Sequence, residues 1–284
     1  MKTIKIIGVP EHFNLPWHMA IDDGAFEDRG IDLIWEDIPE GTGRMAKMLA
    51  SGETDLAIIL TEGLVKSITE GNQSKILQIY VNSPLLWGIH VAAKSPFQSI
   101  EELRNEKAAI SRFGSGSHLM AFVNARRNKW NAQTLKFEIV NNLDNAVKAL
   151  TENDAQYFMW EHFTTKPLVD SGVFRRLGDC PTPWPCFVIA ATDKILSTEP
   201  KILNHILEII NTYTLEFKQI PSIDRTLSNN YGQKLEDIKE WLQNTEWAQE
   251  QLVEGELLKV QEELYELGLI DEIKPASHFL AKTN

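Results

Sequence analysis

The feature that most constrains this chain is the regular alternation of short β-prone runs with stretches of helical spacing through its first half. Thr3 to Val9 is a β-branched run that stops at Pro10. From Pro16 to Arg29 the apolar positions Trp17, Ala20, Ile21, Gly24 and Ala25 recur at helical spacing, and Gly30 supplies the stop. Asp32 to Ile38 reads as a second strand. Gly41-Thr42-Gly43 then turns the chain into a helix over Arg44 to Ser51. Asp55 to Leu60 is a third strand, apolar after its first residue, of the kind buried on both faces. Strands alternating with helices in this way predict a parallel sheet covered by helices.

The pattern then returns. Lys107 to Ser111 reads as a strand, and Gly114-Ser115-Gly116-Ser117 opens a helix carrying Leu119, Phe122, Val123 and Arg126. Leu135 to Val140 is a strand, Asn142 to Leu150 a helix, and Ala155 to Trp160 a strand. Lys47 to Ala57 resembles Val147 to Ala155: a helix end, a polar turn with an acid, then an apolar strand. Each strand leads to a glutamate, Glu62 in the first half and Glu161 in the second. Two similar units predict two similar lobes facing a ligand cleft. The apolar stretches Leu77 to Ala93 and Phe187 to Ala191 are natural crossing strands. The first lobe is then expected to combine residues 1–90 with 190–284, and the second to span 91–189. From Pro200 to Leu269 the chain is helical, with apolar stripes such as Ile202, Ile206, Ile209 and Ile210. Trp241 and Trp247 read as helix packing.

Composition narrows the partners. The formal net charge is -12 over 284 residues, with no long run of Lys or Arg. That argues against nucleic acid and anionic membrane as partners. Cys180 and Cys186 flank a Pro-rich stretch without metal-ligand spacing. The N-terminal run is too short for a signal-peptide core and lacks a small-residue cleavage site. No segment approaches the roughly 18 apolar residues of a membrane helix. The expected compartment of the sequence as it stands is the cytoplasm; it becomes periplasmic or membrane-associated if an export signal has been removed. A monomer is expected.

In open α/β sheets, ligands bind beyond the carboxyl ends of the strands. In the first half that rule selects Glu11, His12 and Asn14, then Gly41, Thr42 and Gly43, then Thr61 and Glu62. In the second it selects Arg112 through His118, then Asn142, Trp160 and Glu161. Gly114, Ser115, Gly116 and Ser117 are the sharpest of these. Glycines admit a ligand to the backbone, and a helix start with free N–H groups favours an anion. Arg112 would add charge and His118 a ring. The competing reading is a tight turn with a serine N-cap. Neither the lysine of a phosphate-binding P-loop nor the third glycine of a dinucleotide fingerprint is present. Glu62 and Glu161 would accept hydrogen bonds from an amine, amide or hydroxyl; the alternative is a salt bridge. His12, His118 and His162 lack the spacing of metal ligands on one element. Trp17, Trp87, Trp160 and Trp184 read first as core. No cofactor, metal or catalytic nucleophile is expected.

The run from Gly41 to Gly63, the Gly114 to His118 loop and the late stretch Glu236 to Leu242 resemble the substrate-binding proteins of nitrate, sulfonate and taurine ABC transporters. The resemblance implies an α/β, two-lobed type II periplasmic-binding-protein-like fold. Each lobe would be a mainly parallel sheet flanked by helices, with a helical C-terminal segment. It implies a small organic, anionic ligand that meets Asn14, Gly43, Thr61, Glu62, Ser115, Ser117 and His118. It also implies an ABC-transporter permease as partner. Relatives on the same scaffold include enzymes of thiamine-pyrimidine and menaquinone-precursor synthesis, so the alternative is an enzyme acting on a small cofactor precursor. The cysteine-rich motif of the pyrimidine synthases is absent.

Overall fold

The computed structural model describes residues 1–282. In chain order its elements are β1 (Lys2–Gly8), α1 (Leu15–Asp22), β2 (Ile31–Asp37), α2 (Thr42–Ser51), β3 (Leu56–Leu60), α3 (Thr61–Thr69) and β4 (Ser74–Val81). Next come β5 (Leu86–Ala92), β6 (Lys107–Ile110), α4 (Gly116–Arg127), β7 (Lys136–Ile139), α5 (Leu143–Thr151), β8 (Tyr157–Glu161), α6 (Lys166–Asp170) and β9 (Phe174–Pro181). The chain closes with β10 (Phe187–Thr192), α7 (Asp193–Thr198), α8 (Pro200–Glu216), α9 (Ile223–Tyr231), α10 (Leu235–Asn244) and α11 (Glu254–Glu266).

These elements form two compact units. Unit 1 is Met1–Ser83 with the chain from Trp184 onward, and unit 2 is Pro84–Pro183. Both crossings come earlier than the sequence boundaries near 90 and 190. The stretch Leu77 to Ala93 holds two strands, β4 in one unit and β5 in the other.

Unit 1 carries a five-stranded sheet in the order β2-β1-β3-β10-β4. β1 runs parallel to β2 and β3, while β10 lies antiparallel to β3 and β4. All five residues of β3 are buried, as a strand covered on both faces requires. Unit 2 repeats the arrangement in the order β7-β6-β8-β5-β9, again with one antiparallel strand, β5, in the fourth place. Both sheets are therefore mixed. In each, the antiparallel strand is the first one the chain enters after crossing between units.

The pairing registers superimpose the two sheets except at one extra shift in unit 1, between Phe187 and Val188. Leu60 lies opposite Phe187 in unit 1, and Glu161 opposite Trp87 in unit 2. Leu56 and Ala57 pair with β1 as Tyr157 and Phe158 pair with β6. Leu60 therefore corresponds to Glu161, and Thr61 to His162. The Thr61 N–H donates to Cys186 O at 3.0 Å, and the His162 N–H donates to Leu86 O at 2.8 Å, so the same link closes both ends. A bulge falls between Ile189 and Ala190 in one sheet and between Ile89 and His90 in the other. This register corrects the match of Glu62 with Glu161. Glu161 still belongs to its strand, whereas Glu62 stands in the first turn of α3.

Two further differences have local causes. The helix read over Pro16 to Arg29 ends at Asp22, because the chain reverses at Gly24 with φ of +71°. A 3-10 turn then covers Glu27–Arg29. Strand β9 has no apolar signature, because Arg175, Arg176 and Asp179 break its pattern. The C-terminal helices add their apolar stripes to the unit 1 core through buried Leu203, Ile206, Ile210, Trp241, Leu257 and Val260.

Candidate functional site

At the carboxyl end of sheet 1, β1 runs into a 3-10 turn over His12–Asn14. Asn14 is fully buried and its Nδ2 donates to Val9 O at 2.8 Å, while its Oδ1 has no partner. His12 is packed in an aromatic nest. Its ring stacks on Trp241 with centroids 4.1 Å apart and tilts against Phe13 and Tyr231. Burial drives its pKa down to about 3, so the ring is neutral near pH 7. His12 thus reads as a core ring, and Glu11 before it is partly exposed.

Gly41, Thr42 and Gly43 lie at the start of α2 and are partly exposed. The Thr42 methyl packs against the backbone of Gly63. A Cβ at Gly63 would stand 2.2 Å from it, so only glycine lets the α2 and α3 starts approach this closely. Thr61 donates from Oγ1 to Pro185 O at 2.5 Å, fastening the end of β3 to the returning chain. Glu62 is 1% exposed. Trp184 Nε1 donates to its Oε2 at 2.8 Å, and its Oε1 has no partner. Burial raises the Glu62 pKa to about 7, against the pull of its own backbone N–H and the Trp184 bond. Its partner is an indole rather than the cation a salt bridge needs.

At the same end of sheet 2, β6 leads into Ser111 to His118. Gly114 takes a φ of +78°, and Ser115 caps α4 by accepting from the His118 N–H. Buried Ser117 accepts from the Ser111 N–H at 2.9 Å and lies 3.1 Å from the Ser115 hydroxyl. The Gly114 N–H donates to His118 Nδ1 at 3.1 Å. The His118 ring meets Phe113, Phe122 and Phe137 edge-on. Much of this loop's polar capacity is therefore engaged inside the loop. Gly116 is the first residue of α4, Arg112 is half-buried, and Phe113 is 63% exposed. Asn142 caps α5, its Oδ1 accepting from the Asn145 N–H at 2.9 Å. Trp160 is half-buried and stacked on Phe158 at 5.3 Å. The buried Glu161 carboxyl accepts from the Thr164 N–H at 2.6 Å. Burial raises its pKa, opposed by that bond and its neighbours.

One cluster escaped the sequence. Arg176 on β9 donates to His162 O at 2.6 Å and also contacts the His162 ring. His162 Nδ1 lies 2.8 Å from Asp179 Oδ1. Buried His90 lies 2.9 Å from Thr165 Oγ1 and 3.4 Å from Arg176 Nε, and burial first, then Arg176, hold its pKa down at about 3. The residues come from β5, the end of β8 and β9, so no local motif announces them. The charges Arg175, Arg176 and Asp179 within β9 are the available signal. Trp184 reads as core from sequence and is buried, but its indole also orients Glu62. Among the described residues, no group of three or more His, Cys, Asp or Glu side chains is arranged to hold a metal ion.

The whole chain matches the structure of the conserved Candida albicans CA3427 gene product, described as having the generic periplasmic binding protein structural fold. The TM-score is 0.90 with 26% identity, covering 100% of this chain and 97% of that one. The chain has the periplasmic-binding-protein fold. A family model described as "Ca3427-like PBP" matches residues 87–180, within unit 2. The alkanesulfonate-binding protein SsuA from Xanthomonas axonopodis pv. citri, bound to MOPS, matches with a TM-score of 0.82 and 14% identity, covering 98% of each chain. The periplasmic aliphatic sulphonate binding protein SsuA from Escherichia coli matches at 0.74 and 15%, covering 100% of this chain and 93% of that one. Among curated proteins, no sequence matches this one.

Proposed function

We propose that this chain is a solute-binding protein. It holds one small organic molecule through the loops at the carboxyl ends of its parallel strands, and it serves an ABC-type uptake system with a permease as partner. The supporting observation is where the buried polar side chains lie. Asn14, Thr61 and Glu62 in unit 1, and Ser115, Ser117 and Glu161 in unit 2, are buried beside the strand ends where open α/β sheets bind ligands. The binding of sulfonates by proteins of the same fold supports a small polar ligand. The fold leaves the identity of that ligand open.

A thermal-shift panel of sulfonates, carboxylates, amino acids and pyrimidines, with mass spectrometry of the bound fraction, tests this reading. A ligand at about a hundred times its dissociation constant adds roughly 2.7 kcal/mol, a rise of several degrees. Recovery of that compound unchanged supports the binding protein. Recovery of a transformed compound supports an enzyme on this scaffold instead, and a flat panel with nothing bound counts against the binding reading.

A further inference from the structure

The carboxyl end of sheet 1 has a polarity of its own. Glu62 is buried at the start of α3, and Trp184 Nε1 holds one of its oxygens while leaving Oε1 without a partner. Asn14, which follows the adjacent parallel strand β1, repeats the situation: its Nδ2 is engaged by Val9 O and its Oδ1 is not. Both unpartnered atoms are acceptors once Glu62 is ionised, above its pKa of about 7; below it the protonated carboxyl turns an O–H donor to the same place. A buried acceptor without a donor costs about 1–3 kcal/mol, and more when it carries charge. An incoming donor recovers that cost. An incoming sulfonate or carboxylate cannot donate, and it would face the carboxyl in a poorly screened setting.

We infer that the group a ligand presents to unit 1 is an N–H donor of the amine or amidine class, bound by Glu62 Oε1, and is not an anionic oxyacid. The inference rests on the binding reading above and refines it. Trp184 makes it specific, because the indole N–H requires an acceptor and so fixes which way a side chain at position 62 turns. In Glu62→Gln the amide oxygen faces Trp184, and the amide N–H group takes the place of Oε1. The variant keeps the shape and reverses the hydrogen-bonding sense of the site.

Acetamidinium and acetate have the same shape and opposite hydrogen-bonding sense, so they serve as probes, with methanesulfonate as a third. Calorimetric titration of the wild-type protein at about pH 8.5, where Glu62 is ionised, is expected to rank acetamidinium ahead of both anions. A charge-assisted hydrogen bond predicts a roughly ten- to hundredfold margin. E62Q is expected to reverse the order while keeping a cooperative melt. Tighter binding of acetate or methanesulfonate by the wild type overturns the inference and leaves the binding reading intact. So does acetamidinium binding that E62Q does not weaken. No saturable response to acetamidinium at millimolar concentration also overturns it, while the broader ligand panel decides the binding reading separately. If E62Q does not fold, the wild-type order of the probes is decisive alone.

Discussion

The two sheets share strand order, most of their register and one bulge, yet the side chains at and leading to their carboxyl ends differ sharply in character. Where unit 1 places Thr61, Ala190, Ile76 and Ile79, unit 2 places His162, His90, Arg176 and Asp179 at the matching register positions. Unit 1 closes its end with hydroxyl and amide bonds to carbonyls and adds a carboxyl that burial favours in the neutral form. Unit 2 closes the same end with a guanidinium, two imidazoles and a carboxylate. Burial opposes the charge on Asp179, but the His162 hydrogen bond and the Arg176 charge win and hold its pKa low. One backbone plan thus tolerates either a neutral or an ionic end, because the strand ladders hold the sheet and leave the end chemistry free to differ.

The comparison breaks first at Arg176. Arg176→Ala leaves His162 and Asp179 without their cation, and removing one partner of a partly buried ionic cluster costs about 3–5 kcal/mol at the buried limit. Urea unfolding is expected to show a large loss of stability. Ile76→Ala, at the matching register position in unit 1, is expected to cost about 2–5 kcal/mol through lost packing alone, with no dependence on salt. A cost at Arg176 no larger than that of a surface charge would show that the ionic cluster does not hold the end of unit 2.

The next effect is in pH. The Glu62 pKa stands at about 7 in the folded chain against an ordinary glutamate value of 4.5. The folded state therefore holds the extra proton between those values, and stability falls as pH rises through that window, by roughly 3 kcal/mol in all. E62Q removes this slope. His12 and His90 act in the opposite sense. Their pKa values are lowered to about 3, so stability falls as pH drops below 6.5. Urea midpoints taken across pH 4 to 8, roughly the span of these windows, separate the two slopes.

Ser117→Ala strands the buried Ser111 N–H, at a cost of about 1–3 kcal/mol. It tests whether the loop is held mainly from within; a loss below a few tenths would say that it is not. The smallest effect is expected at Asn142. Its exposed N-cap is worth about 1 kcal/mol, so Asn142→Ala should lower the melting temperature slightly without altering ligand affinity. A change in affinity would return Asn142 to the ligand site.

Much of the fold was legible because strand and helix periodicities are local. Leu56–Leu60, the helix at 143–151 and the alternation of elements need only neighbours in sequence to be read. The expected positions of ligand loops follow from the rule that ligands sit beyond strand ends. What each loop residue does was less legible. Ser117 and Asn142 are as polar as any ligand-contacting side chain, and only the distances to the Ser111 and Asn145 N–H groups show what engages them.

The sequence by itself determined the alternating elements, the apolar strands and the duplicated plan, because those depend on the order of side chains along the chain. The tertiary structure alone decided the register that separates Glu62 from Glu161 and the half-satisfied state of the Glu62 carboxyl. It also decided the assembly of His90, His162, Arg176 and Asp179. Pairing and burial join residues far apart in the chain, 122 positions in the bond from Trp184 to Glu62, and a carboxyl's charge depends on what surrounds it rather than on its neighbours in sequence.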